Sequence, residues 1–440
     1  MRCDSTQGRA RAPGSVGPSA CVFLVGCLVS ACNGVPAPLD GAVADASDDA
    51  ARDVAPAVKQ PAMRTGPGGR PPPVASGPTF GAPLPGLTAA QLDEFADGLE
   101  EFSKQETVEG GLGPLFNNTG CFVCHGVPAT GGSTNLFVTR FGRTANGVFD
   151  PMDGAGGSLL QQSAIDRLAR EFLPATANVT ARRQSTPLFG LGLVEAIEDT
   201  TILAVAASEP AAVRGTVSMV RDAVSGTMRV GRFGWKCQVA TLLDFSGDAY
   251  VNEMGITNRF YPRENAPNGD ALRLAASDTV ADPEDQIDPA TGKSDIDYAA
   301  DFMRYLAPPP RMPFNPPELA GEMHFMAAGC ADCHTPVMNS GPSPVASLAR
   351  RPVALYSDLL LHDMGALGDG IAQGAASPTQ MRTTPLWGLR VSAPYLHDGR
   401  ANTIADAITA HAGQGAAARD RFQALTPAQR DELLAFLRAL

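Results

Sequence analysis

The sequence predicts a mainly α-helical protein built as two homologous domains in tandem, with a loop- and hairpin-rich insertion between the repeats. Two observations predict the duplication and a third predicts the helices. The pattern Cys-x-x-Cys-His occurs twice, in GCFVCHG at 120–126 and GCADCHT at 329–335. Each copy is followed by a second matching phrase, STPLFGLGLVEA at 185–196 and TTPLWGLRVSAP at 383–394, so order repeats as well as motif. Apolar residues at helical spacing behind a capping residue mark LTAAQLDEFADGLEEFSKQ, with Thr88 as cap, and LTPAQRDELLAFLRAL, with Thr426 as cap and Pro427 in the first turn.

In chain order, Arg2, Arg9 and Arg11 precede the apolar run ACVFLVGCLVSAC, which ends at Cys32. Its 13 residues are too few to cross a bilayer as a helix, which takes about 20, but they suit a secretory signal. The end of the run, Val29 to Cys32, resembles a bacterial lipobox. Residues 1–31 are therefore expected to be a lipoprotein-type signal peptide, with Cys32 as the lipid anchor to the membrane. Asn33 follows, not the Asp of an inner-membrane retention signal, which points to a periplasm-facing outer-membrane address. Residues 32–85, rich in Ala, Pro and Gly, predict a disordered tether. The N-terminal domain is expected over 86–300 and the C-terminal domain over 301–440. The stretch from 200 to 300 has no counterpart in the second half. In it GTVSMV and TMRVGRFGW read as a hairpin and SDTVADPEDQIDPATGKSD as loop.

Two chemistries compete for the repeated motif. A zinc ribbon places its second CxxC pair roughly 15–20 residues on, and neither zinc nor a redox dithiol requires a His directly after each pair. Covalent c-type haem accounts for all three fixed positions: two thiols add to the two vinyl groups, and the next residue lies under the iron as proximal ligand. The candidate haem-binding residues are Cys121, Cys124 and His125, then Cys330, Cys333 and His334, for two covalently bound haem c groups. A helix before the motif and another at the chain end is the layout of a small cytochrome c domain, so the fold sharpens to two cytochrome c-like domains. Haem attachment outside the bacterial cytoplasm agrees with the signal segment. Of the nine cysteines, Cys3, Cys21 and Cys27 leave with the signal, Cys32 takes lipid, four hold haem, and Cys237 reads as a small buried hydrophobe. A net charge of −12 argues against nucleic acid as a partner.

The copies differ in histidine. Of six histidines none lies between His125 and His324, whereas the second copy carries His362, His397 and His411. One iron therefore has histidines available for its sixth position and the other has none nearby in sequence.

The pieces STPLFGLGLVEAIEDTTI, GRFGWKCQ, MGITN, CADCHTP, LYSDLLLHDMG, TTPLWGL, YLHDGRANTIADAI and HAGQGAAARDRF resemble the bacterial di-haem oxidoreductases, a peroxidase-like family sometimes labelled thiol oxidoreductases. More distantly the layout is similar to the di-haem cytochrome c peroxidases. The resemblance implies a C-terminal haem that relays electrons and an N-terminal haem that meets peroxide. It implies a periplasmic electron donor or acceptor as partner, and, by analogy, calcium between the domains. In those relatives the relay haem's sixth ligand lies fourteen residues beyond a PYxHDG phrase. Here that position is His411, where the relatives use Met or Tyr, and Met364 in LLLHDMG is the rival ligand. His362 and His397 are expected to bond backbone or propionates, and His324 to pack on a helix. Glu195 is the candidate acid/base of an open first-haem pocket, which would take peroxide's proton and return it to the leaving oxygen. Trp235 and Trp387 read as core aromatics that could also bridge electrons. The expected function is a peroxidase-like di-haem oxidoreductase. The alternative is an electron-transfer di-haem cytochrome c without substrate turnover, its first iron capped by Met152 or Met254.

Overall fold

The chain is described by a computed structural model over residues 79–440; the expected signal peptide, Cys32 and most of the expected tether lie outside the described residues. The cap expected at Thr88 forms. Its hydroxyl accepts from the Gln91 N–H while the Gln91 side chain accepts from the Thr88 N–H, and helix α1 follows over Ala89–Phe102. The further helices are α2 (Cys121–His125), α3 (Leu191–Glu195), α4 (Asp199–Ser208), α5 (Leu242–Ala249), α6 (Ala271–Ser277), α7 (Asp295–Tyr305), α8 (Pro316–Ala327), α9 (Ile404–Thr409), α10 (Ala416–Ala424) and α11 (Pro427–Ala439). Thr426 caps α11, with Pro427 at its first position, where a missing N–H costs nothing.

Two helix crossings repeat one geometry. α1 crosses α7 at Gly98, where a Cβ would stand 2.5 Å from Tyr298 O, and α8 crosses α11 at Gly321, where it would stand 2.0 Å from Glu432 O. Only glycine lets these backbones approach so closely. Four residues on, Phe102 meets Phe302 with ring centres 4.7 Å apart, and Phe325 meets Phe436 at 5.4 Å. The first crossing belongs to a large apolar core that includes Phe95, Leu188, Leu193, Leu242, Ile296 and Phe302. The second belongs to a smaller core of Phe325, Tyr356, Ile404, Phe422, Leu433 and Phe436.

Between the helices lie small antiparallel sheets. Strand β1 (Phe137–Ala145) pairs with β2 (Val148–Asp150), β3 (Leu159–Leu160) and β4 (Val179–Gln184). The hairpin expected in the insertion is present as β5 (Met219–Arg221) on β6 (Met228–Val230). In the second half β7 (Leu361–Asp363) pairs with β8 (Gln380–Arg382).

Two boundaries differ from expectation. The tether was expected to run to residue 85, but Pro83 bridges to Leu306, the Leu84 N–H donates to Tyr305 O at 2.8 Å, and Leu84 is buried. Phe80 also packs on Phe189 at 5.7 Å; Phe80 and Leu84 anchor a segment otherwise made of small residues and proline. The domain boundary expected at 300/301 falls inside α7, which packs on α1 and so belongs with the first half.

Candidate functional site

Gly120 opens α2 where the chain passes so close to Lys104 O that a Cβ would stand 2.4 Å away. The short helix presents Cys121, Cys124 and His125. The His125 ring packs edge-on to Phe102 with centres 6.1 Å apart, and its Nδ1 lies 3.1 Å from Gly132 O, to which it donates. In the second half Gly329, in the left-handed region, leads into Cys330–Asp332. His334 Nδ1 donates to Tyr356 O at 3.1 Å, and the ring packs on Phe325 at 6.4 Å. In both motifs the Nδ1–H is spent on a backbone carbonyl, which fixes the tautomer with the lone pair on Nε2, the atom a metal would take. Burial drives both imidazoles down to about 4, so they are neutral, the ligating form.

His411, after α9, shares this arrangement: its Nδ1 donates to Ala407 O at 2.8 Å. Its ring faces that of His334 with centres 6.4 Å apart. Two imidazoles bound to one metal at about 2 Å each have ring centres roughly 6 Å apart. The pair lies in a cavity of about 440 Å³ lined also by Cys330, Cys333, Met364 and Trp387. Two thiols, the paired His334 and His411 rings and a mostly apolar wall fit a covalently attached haem.

The thiols fit no redox dithiol. Burial pushes Cys121 up to about 12, helped by the Glu101 and Glu106 carboxylates, and Cys124 up to about 11, helped by Glu253. Cys330 likewise stands at about 12 through burial. Catalytic dithiols need a lowered pKa. Among the described residues, the cysteine-containing group with metal-ligand spacing is Cys333 with Asp358 and His362, not a four-ligand zinc site.

The other histidines have separate roles. His362 commits Nε2 to Asp358 at 2.8 Å and stands with Nδ1 3.5 Å from Cys333 Sγ. His324 pairs with Glu432 at 2.9 Å across the α8–α11 crossing. His397 is buried on the cavity wall, its ring edge-on to Trp235 at 6.1 Å. Trp235 donates Nε1–H to Gln184 O at 2.7 Å while its own carbonyl accepts from the Arg382 N–H at 2.9 Å, so it stands between the halves, and Trp387 lies against Gly190 of the first TPLFGL phrase. Met364 lines the same cavity as His411. Cys237 is fully buried, with Sγ 3.3 Å from Leu359 O.

Glu195 departs from its expected role. Its Oε1 accepts from the Leu242 N–H at 2.7 Å and its Oε2 from Arg304 Nε at 3.2 Å. Both oxygens are committed, which makes the residue a brace joining α3, α7 and the start of α5, not a free acid/base.

One correspondence was missed in the sequence. Thr241 caps α5 and bonds the Asp244 N–H, just as Thr403 caps α9 and bonds the Asp406 N–H. Aligning TLLDFSGDA with TIADAITAH sets Ala249 where the second half has His411. The Thr-x-x-Asp repeat was the available signal, but two matched residues in nine do not stand out until both form the same capped helix.

No curated protein matches the chain. Among solved structures it is similar to a MauG-like protein associated with microbial copper homeostasis, at 15% identity over 84% of this chain and 93% of that one, with a TM-score of 0.35. It is similar to the diheme peroxidase BthA from Burkholderia thailandensis E264, at 15% identity over 82% and 86%, with a TM-score of 0.36. Hydrazine synthase of Kuenenia stuttgartiensis matches at 16% identity over 43% and 71%, with a TM-score of 0.25. The profile of the family described as "Di-haem oxidoreductase, putative peroxidase" matches residues 164–440, well over half the chain, and this chain belongs to that family of redox enzymes.

Proposed function

We propose that this chain is a peroxidase-like di-haem c oxidoreductase made of two cytochrome c-like modules, one ending after Tyr305 and the other beginning there. Cys121 and Cys124 attach the first haem and Cys330 and Cys333 the second, with His125 and His334 as proximal ligands and His411 as sixth ligand of the second. The observation that carries this reading is the facing pair His334–His411, set against Ala249 at the matching position of the first module. Bound haem supplies the redox chemistry at its iron. The protein's part is to hold His125 and His334 by their Nδ1–H bonds and to offer His411 as a second ligand to the second haem, where the first module would offer none from Ala249. A small oxidant such as peroxide then meets the first site, and electrons from a periplasmic one-electron partner enter by way of the second. The same reading has the protein matured outside the cytoplasm and held at the membrane by lipid on Cys32. No helix among the described residues is long and apolar enough to cross a membrane.

The test is electron paramagnetic resonance of the ferric protein bearing two haems. One high-spin and one low-spin signal are expected. Cyanide should convert only the first, and His411→Gly should turn the second high-spin. Two low-spin signals, with neither altered in His411→Gly, would replace this reading with that of an electron carrier.

A further inference from the structure

The two modules keep a common register from the proximal histidine outward. The carbonyl that accepts from His125 belongs to Gly132, five residues before Phe137; the one that accepts from His334 belongs to Tyr356, five residues before Leu361. Phe137 pairs with Gln184, two residues before Thr186, and Leu361 pairs with Arg382, two residues before Thr384. Counting three residues on along each strand sets Arg140, opposite Ala181, at the place of Met364, whose N–H donates to Thr379 O. In the second module that place lies on the sixth-ligand side. A Cβ on Gly415 would meet Met364 Cε at 3.2 Å and His411 Cδ2 at 3.1 Å. The separate alignment of the two capped helices sets Ala249 at the place of His411, with Asp248 directly before it.

Arg140 is no surface cation. Its Nη1 donates to Ser158 Oγ at 3.2 Å, and its Nε is shielded from solvent with no hydrogen-bond partner. Arg140, Asp248 and Glu253 are each half-buried. The three feel one another's charge. They are tied to the first motif through Asn117, which donates to Glu253 at 2.7 Å, and its neighbour Asn118, whose Nδ2 lies 3.3 Å from Cys124 Sγ.

We propose that Arg140, backed by Asp248, forms the distal face of the first haem site and binds the small oxidant there. This rests on the assignment of an open first haem. A buried guanidinium stays charged, so it stabilises an anion or a developing negative oxygen at the position that His411 fills in the other module. Asp248 accepts the proton from the inner oxygen of hydrogen peroxide and passes it to the outer oxygen, which leaves as water when the O–O bond breaks. That cleavage takes two electrons from the haems. An external one-electron donor returns them singly, and two solvent protons complete the second water. Burial raises Asp248 to about 6, against the opposing pull of Arg140, which suits a group that must both take and give a proton.

Fluoride titration of the ferric holoprotein, followed at the high-spin bands, tests the binding role without turnover. Arg140→Leu is expected to raise the fluoride Kd tenfold or more and Arg140→Lys by less, with the low-spin spectrum of the second haem unchanged. In single-turnover reaction with peroxide, Asp248→Asn is expected to slow the step by about a hundredfold while leaving the fluoride Kd within threefold. A fluoride Kd within twofold of wild type in both Arg140 variants overturns the distal assignment and leaves the open-haem reading standing. Wild-type protein that binds no fluoride and shows no high-spin haem overturns both. If Arg140→Leu fails to fold, the Arg140→Lys titration decides alone.

Discussion

Both carboxylate oxygens of Glu264 are shielded from solvent, and the residue gathers with Asp282 and Glu284 so closely that one oxygen from each lies within 4.8 Å of the others. Burial, then the charge of Glu284, raises Glu264 to about 10, so it holds a proton at neutral pH. A carboxyl whose folded value lies above its unfolded one adds stability in full below the ordinary carboxyl range. That stability is lost as pH rises toward the folded value. Glu264→Gln, which needs no proton, should therefore flatten the fall in thermal midpoint between pH 5 and pH 9, measured with a chelator present to remove any cation at these carboxylates. An equal fall in both proteins would show that Glu264 is ionised in the fold. At this scale the sequence was legible where chemistry fixes the spacing, as in the two motifs, whereas His411 was singled out through the family resemblance. It was not legible at Glu195, whose partners Leu242 and Arg304 are 47 and 109 residues away.

The helix crossings set the elements. At Gly321 an added methyl would overlap the α11 backbone at Glu432 O, with Phe436 Cβ 2.8 Å away, and neither is the free end of a flexible chain. The two helices would have to separate, withdrawing Phe325 and Phe436 from behind His334. Overpacking of this kind costs roughly 1–3 kcal/mol. Gly321→Ala should lower the unfolding free energy by that order. Gly154→Ala, with nothing within 4 Å of the new methyl, should leave it near wild type; equal loss in both would mean that the crossing tolerates separation. The helices themselves were readable from Thr88, Thr426 and Pro427, because caps and apolar spacing are local. Their pairing was not, since a glycine inside a helix reads as a weakness until a partner backbone is seen against it.

Across the molecule, the halves are tied by a buried ion cluster. Asp369 accepts from Arg183 Nε at 2.7 Å and meets Arg183 Nη2 at 2.6 Å and Lys236 Nζ at 3.0 Å, all three side chains being almost inaccessible. Burial alone would raise Asp369, but Arg183 and then Lys236 hold it below its ordinary value. Its contribution is therefore present above the usual carboxyl range and is lost as pH falls through the lowered value. Asp369→Asn leaves two buried cations unpaired, an expected loss of about 3–5 kcal/mol in denaturant unfolding at pH 7. The gap to wild type should narrow in acid. A loss under about 1 kcal/mol at pH 7 would mean that water or rearrangement replaces the carboxylate, as at an exposed pair.

The sequence by itself determined the two Cys-x-x-Cys-His motifs, the repeated phrases that follow them, the capped helices and the asymmetry in histidine, because each depends on residue type at short fixed spacing. Tertiary structure decided what long-range contacts alone can set. It brought His411 opposite His334, gave Glu195 to Arg304 and Leu242, folded residues 79–85 onto the first half, and carried α7 across the expected boundary. It also brought strand residue Arg140 and helix residue Asp248, 108 positions apart, into one enclosed polar group. A buried charge is stable only beside the partners the fold gathers, and those partners leave no local period in the chain.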